Sequence, residues 1–345
     1  MGRVWLKLVV LAILLCIALM AAWIFWSESN PEQERELRIA AQEQLEEWFP
    51  EAMAPTPELF GFHPPSDSTR SAPDVVLIHG LDEPGGIWDE TLKTLADAGL
   101  EAWEFRYPND QAIDHSVDLL ARHWPALGEA RPIVLVGHSM GGLVIRDFVT
   151  RWRHPADADA QVGGPDILGV ILIGTPNQGS GWARLRGWLE LREWIAHIPE
   201  GQFSPFAGLR QGTGAAKIDL RPESRFLSEL NARQWPDSVQ VKIIGGQLGE
   251  ATPDMLQTLD RLGEELAVAD LRSRVESWWT ETGEELGDGA VPVASLSFEG
   301  GPEPLLLPAS HRGLLVDLPL ADGAPPAIAP MLDTILEWRG QPSTH

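Results

Sequence analysis

Apolar residues run almost without a break from Leu8 to Trp26, 19 positions with no charged side chain. As a helix this run spans about 28 Å, close to the hydrocarbon thickness of a bilayer. Arg3 and Lys7 precede it, and Glu28, Glu32, Glu34 and Glu36 follow it. A basic flank keeps the N-terminal end in the cytoplasm. Residues 1–26 are therefore expected to form a single-pass membrane anchor, with the rest of the chain on the extracytoplasmic side. A cleaved signal peptide is the rival reading, but it calls for an apolar core of about 7–15 residues and a small-x-small site after it. Ala21-Ala22 is a poor match, and Trp23-Ile24-Phe25-Trp26 carries the apolar run past it in a form suited to a membrane interface.

The pattern then changes. Leu37, Ala41, Leu45 and Trp48 recur at helical spacing and predict a helix over Asn30–Phe49, packed on the domain or standing as a stalk. Pro50–Pro73, rich in Pro, Ser and Thr, reads as a linker, so 27–73 form an acidic stalk and linker. From residue 74 short apolar runs alternate with amphipathic stretches. Strands are predicted at Val75–His79, Ala102–Tyr107, Ile133–Val136, Ile167–Ile173, Val239–Ile244 and Leu305–Leu307. Helices are predicted at Trp88–Ala98, Ile113–Leu127, Gly142–Trp152 and Ala327–Trp338. That alternation specifies an α/β domain over 74–345, a mostly parallel sheet flanked by helices. Two helical stretches interrupt it, the Trp-rich Gly181–Ile198 and Pro253–Leu286. The insertions containing them, about 181–236 and 250–286, are expected to cap the site.

Charge narrows the partners. Residues 27–345 carry all 50 acidic side chains and all but two of the 26 basic ones. Such a body repels nucleic acid and anionic lipid headgroups, so nucleic-acid binding is excluded as a function class. Cys16 is the only cysteine and sits in the apolar run, so no intrachain disulfide forms. No motif asks for a metal or an organic cofactor.

The candidate chemistry lies in Gly137-His138-Ser139-Met140-Gly141, between the strand Ile133–Val136 and a helical pattern. Strand, Gly-x-Ser-x-Gly and helix in that order make a nucleophile elbow, in which small flanking residues leave the serine hydroxyl exposed on a sharp turn. Serine needs a base, a carboxylate to orient that base, and donors for the oxyanion. Four histidines follow Ser139: His154, His197, His311 and His345. His311 follows the strand Leu305–Leu307, where a last-strand loop delivers a base. Asp288, between Gly287 and Gly289, is the preferred acid; Asp254, nearer the end of the strand Val239–Ile244, competes with it. The oxyanion donors are expected to be the N–H groups of Met140 and of Leu81 in His79-Gly80-Leu81.

These segments together resemble the lipase-like branch of the α/β-hydrolase family. Val75-Val76-Leu77-Ile78-His79-Gly80-Leu81 is similar to its oxyanion loop, and Gly137-His138-Ser139-Met140-Gly141 to its elbow. Gly174-Thr175-Pro176-Asn177-Gln178-Gly179-Ser180 resembles a segment that often reads Gly-Thr-Pro-His-x-Gly-Ser, with Asn177 in place of the histidine. Asp288-Gly289 with Val291-Pro292 and Ser295 resembles its acid loop. The resemblance implies an α/β-hydrolase fold and cleavage of carboxylic esters, of lipids or other apolar acyl groups, through an acyl-enzyme. An acyltransferase, a serine peptidase or amidase, and a catalytically idle membrane-held interaction module are the alternatives.

Overall fold

The computed structural model describes residues 11, 15, 18–19, 22–53, 60–66, 68–81, 86–128, 131–156, 158–181, 212–248, 273, 287–317 and 324–340. Most of the expected anchor, the Trp-rich stretch after Gly181, Asp254 and nearly all of 250–286 lie outside them. Among the described residues no helix is long and apolar enough to cross a membrane. Trp23, Ile24, Phe25 and Trp26, at the end of the apolar run, are exposed.

Among the described residues seven strands form one sheet: β1 Gly61–His63, β2 Val75–Ile78, β3 Ala102–Arg106, β4 Ile133–His138, β5 Ile167–Ile173, β6 Gln240–Gln247 and β7 Leu305–Pro308. Their order is β1-β3-β2-β4-β5-β6-β7. Every neighbouring pair is parallel except β1 with β3. Alternate side chains go to opposite faces, as a pleated strand requires. Val76, Ile78, Phe105, Leu135, Val170 and Ile243 lie in the core on one face. Val75, Leu77, Val134, Val136, Ile171 and Ile244 lie in the core on the other. Because helices cover both faces, the central strands read as unbroken apolar runs rather than as an alternation. All six residues of β4 are buried.

The first face is covered by α3 Ile113–His123, α4 Met140–Asp147, α5 Ala215–Asp219 and α6 Arg225–Asn231, the second by α2 Asp89–Asp97 and α7 Ile328–Trp338. The expected helix Ile113–Leu127 becomes a tighter 3-10 turn from Trp124, where Pro125 follows, and the expected Gly142–Trp152 becomes a wider π turn from Phe148 to Arg153. Strand β1 lies inside the stretch read as linker. It is only three residues long, and Phe62 holds it by packing 5.2 Å from Phe105 and 6.2 Å from Trp124, measured between ring centroids.

Helix α1, Pro31–Trp48, docks on the body, but not through its apolar stripe. Leu37 and Trp48 stay exposed while Glu34 is fully buried. Ion pairs make the contact. Arg35 Nε donates to Asp219 at 2.6 Å and its Nη2 to Asp114 at 2.8 Å. Arg38 pairs with Glu34 within the helix at 3.0 Å and reaches across to the carbonyl of Thr213. The other oxygen of Asp219 accepts the N–H of Ile113 at 2.9 Å, tying α5 to the start of α3. Burial pushes the Asp219 carboxyl up to about 6, against the pull of Arg35.

Arg35→Ala leaves that carboxylate buried without its cation, a change that costs about 3–5 kcal/mol. With Arg35 gone the Asp219 pKa rises further above its unfolded value, so protonation relieves the fold as pH falls. Thermal melts should show the deficit largest near pH 8 and shrinking toward pH 5. A deficit that does not change with pH would mean that Asp219 is not the group left stranded.

Candidate active site

Strand β4 ends at His138 and α4 starts at Met140, so Ser139 alone makes the turn. Its backbone is at φ 54°, ψ −128°, a conformation that costs a non-glycine residue about 1–3 kcal/mol. Two hydrogen bonds hold it there: Ser139 N–H donates to Ile173 O at 2.8 Å, and Gly142 N–H donates to Ser139 O at 3.0 Å. The flanking glycines are required by close approach. A Cβ on Gly137 would sit 2.6 Å from Gly142 N, and one on Gly141 would overlap the carbonyl oxygens of Ile78 and His79.

Two loops meet this turn. Gly80, beyond β2, abuts the serine so closely that a Cβ there would lie 2.7 Å from Ser139 Cβ and 3.2 Å from Ser139 Oγ. Leu81 follows it, half-buried. The N–H groups of Leu81 and Met140 meet no acceptor among the described residues. On the other side, His311 and Asp288 come together as the sequence predicts. His311 Nδ1 lies 2.7 Å from Asp288 Oδ2, and His311 N–H donates to Asp288 O at 2.9 Å. Asp288 Oδ1 accepts the N–H groups of Ala290 at 2.9 Å and Val291 at 2.7 Å. The carboxylate is thus buried yet fully partnered, which is how a buried charge is tolerated. Gly174 lies under the pair, 3.1 Å from His311 Nδ1 and 3.2 Å from Asp288 Oδ2 when a Cβ is built on it.

His311 is bound to the elbow through the residue before the serine. The rings of His138 and His311 are 4.6 Å apart, and His138 Nε2 lies 3.2 Å from His311 O. Burial, with the neighbouring His311, holds the His138 pKa well below the ordinary imidazole value. His138 is therefore neutral, and its Nε2–H donates to the His311 carbonyl. The sequence reading missed this contact; the only hint was the histidine inside the elbow motif itself.

Asn177, in the segment after β5, is buried in a different network. Its Oδ1 accepts from Arg146 Nη1 at 3.0 Å, and its Nδ2 donates to Leu296 O at 2.5 Å. Arg146 also donates to Asn231 and stacks 3.8 Å over the ring of Phe298. Burial lowers the Arg146 pKa to about 9. An amide places an acceptor and a donor side by side, which this guanidinium and carbonyl both use.

Asp288 occupies His311 Nδ1, which fixes the tautomer and leaves Nε2 without a carboxylate partner.

Two solved structures are similar to this chain. A Bacillus licheniformis lipase in its mature form is 16% identical, over 75% of this chain and 93% of that one, with a TM-score of 0.47. A Staphylococcus hyicus lipase is 14% identical, over 80% of this chain and 97% of that one, with a TM-score of 0.46. No curated protein matches the sequence. Residues 75–321 match the alpha/beta hydrolase family, and they span the elbow, Asp288 and His311 alike. That match covers well over half of the 345 residues, and the chain belongs to the alpha/beta hydrolase family.

Proposed function

We propose that this chain hydrolyses carboxylic esters of apolar acyl groups, lipids among them, through an acyl-enzyme on Ser139, while tethered to a membrane by residues 1–26. The observation that carries the reading is the 2.7 Å contact between His311 Nδ1 and Asp288 Oδ2, beside a serine held at φ 54°. Ser139 Oγ attacks the acyl carbon as His311 Nε2 takes its proton, and Asp288 stabilises the imidazolium that forms. The carbonyl oxygen becomes an oxyanion facing the N–H groups of Leu81 and Met140. The C–O bond to the alcohol breaks, and the alkoxide leaves with the proton from His311. Water then gives a proton to His311 and its oxygen to the acyl carbon, releasing the acid and restoring Ser139.

The apolar substrate class and the tether rest on two features. The uncharged run Leu8–Trp26 ends in the exposed side chains of Trp23, Ile24, Phe25 and Trp26, in the manner of an aromatic interface belt. The Trp-rich sequence Gly181–Ile198 follows directly after the described Ser180 loop. In this reading the catalytic domain sits on the extracytoplasmic side, since Arg3 and Lys7 hold the other flank.

The test is labelling of the detergent-solubilised full chain with a fluorophosphonate, followed by peptide mapping, and a rate profile over p-nitrophenyl esters of rising chain length. The adduct is expected on Ser139, and kcat/KM is expected to rise beyond butyrate. Absence of an adduct would remove the hydrolase reading. A maximum at acetate would remove the lipid one.

A further inference from the structure

The oxyanion loop is aimed by its own side chains and by the end of the neighbouring strand. Resting on the ester-hydrolase reading above, we infer that His79 and Tyr107, assisted by Asn109, are positioning residues that point the Leu81 N–H at the oxyanion of the transition state.

His79 Nδ1 lies 2.9 Å from Gly80 O, and Asn109 Nδ2 donates to the same carbonyl at 3.4 Å. In a trans peptide the N–H points opposite to the preceding C=O. A carbonyl held on the His79 and Asn109 side therefore sends the Leu81 N–H the other way. Gly80 itself abuts Ser139. His79 is in turn fixed twice by Tyr107, which directly follows β3 and is the only tyrosine in the chain. Tyr107 Oη donates to His79 O at 2.6 Å, and the two rings stack with centroids 4.6 Å apart and planes 18° apart. Both side chains resist a change of protonation state. Burial pushes the Tyr107 phenol up, so it stays a donor. Burial lowers the His79 pKa, so the ring is neutral and its single N–H is committed to Gly80 O. Glycine at position 80 makes the aim necessary, because a residue without a side chain does not hold its own peptide planes.

All three side chains bond to the main chain of the loop itself, so their effect is expected to be confined to the transition state. Removing a whole oxyanion donor costs about 100–1,000-fold in kcat. Loosening the aim of one is expected to cost about tenfold.

Tyr107→Phe keeps the ring stack and removes only the Oη bond. Its kcat on p-nitrophenyl butyrate is expected to fall about tenfold with KM unchanged, and the Ki of an aliphatic trifluoromethyl ketone to rise by the same factor. Asn109→Ala, which removes the longer contact, is expected to shift both in the same direction by about two- to threefold. A thermal melt verifies that each variant is folded. A role in folding alone would lower the amount of active enzyme without moving the Ki. Wild-type kcat and Ki in folded Tyr107→Phe would overturn the inference, as would a fall in kcat with no change in Ki. Fluorophosphonate labelling of wild-type Ser139 separates the two failures. Without it the ester-hydrolase reading falls and takes the positioning role with it. With it, an unaffected Tyr107→Phe sinks the positioning role alone.

Discussion

Ser139→Ala is expected to lower kcat/KM for p-nitrophenyl esters by about 10⁴-fold or more, with the protein still folded. The size of the effect follows from the division of labour at the site. In the proposed mechanism His311 and Asp288 act only through the serine hydroxyl, so its removal is expected to silence all three together. What survives is the contribution of the oxyanion donors and of binding, which continue to act on a water-mediated reaction. The fold is insulated from the change. Alanine keeps the Cβ that packs against Gly80, and the N–H to Ile173 O and the carbonyl that accepts from Gly142 belong to the main chain. The backbone strain at φ 54° is present with either side chain. The melting temperature is therefore expected to stay close to that of the parent. A folded Ser139→Ala chain that keeps more than a tenth of the parent turnover would place the nucleophile elsewhere.

The elbow could be read from the sequence because its geometry admits so few residues. Gly137 and Gly141 are demanded by backbone contacts at the tip of β4, and those demands show as a short local pattern. Asp288 was legible for a similar reason: Gly287 and Gly289 both take positive φ, at 55° and 92°, to bend the loop that carries it. His311 was found by chain order, which the succession of parallel strands imposes. The sheet itself was legible from apolar runs long enough to be buried on both faces, as in Ile133–Val136 and Ile167–Ile173.

What escaped detection depends on partners distant in the chain. Strand β1 is three residues of Gly-Phe-His whose only strong signal is Phe62, and its partners Phe105 and Trp124 are remote. The stripe Leu37, Ala41, Leu45 and Trp48 suggested an apolar docking face, but α1 is held by Arg35 and Arg38. Asp219 lies 184 positions from Arg35, and nothing local to either residue announces the pair. Tyr107 likewise reads as one more aromatic at the end of a strand. That its hydroxyl faces the carbonyl of His79 becomes visible only when β2 and β3 lie side by side.

The second large effect concerns the carboxylate, and the hydrogen bonds around it dictate the outcome. Asp288→Asn is nearly isosteric, so the loop is expected to hold. The amide must nevertheless choose which way to face. Ala290 and Val291 both direct N–H groups at the Oδ1 position, at 2.9 and 2.7 Å, so only the amide oxygen is accepted there. The NH2 group is then forced toward His311 Nδ1, 2.7 Å from the former Oδ2. A donor facing Nδ1 makes that nitrogen the acceptor and moves the ring proton to Nε2, where it points at the hydroxyl that the base should deprotonate. The imidazole is thus in place but in the wrong tautomer, a fault that costs about 10⁴-fold in kcat in triads of this kind. Fluorophosphonate labelling of Ser139 is expected to slow in the same variant, because it needs the same base. Asp254→Asn is the matched control and is expected to retain parent kcat. If Asp254→Asn loses activity and Asp288→Asn stays within tenfold of the parent, the acid is Asp254, and the contact between Asp288 and His311 is a structural tie of the loop.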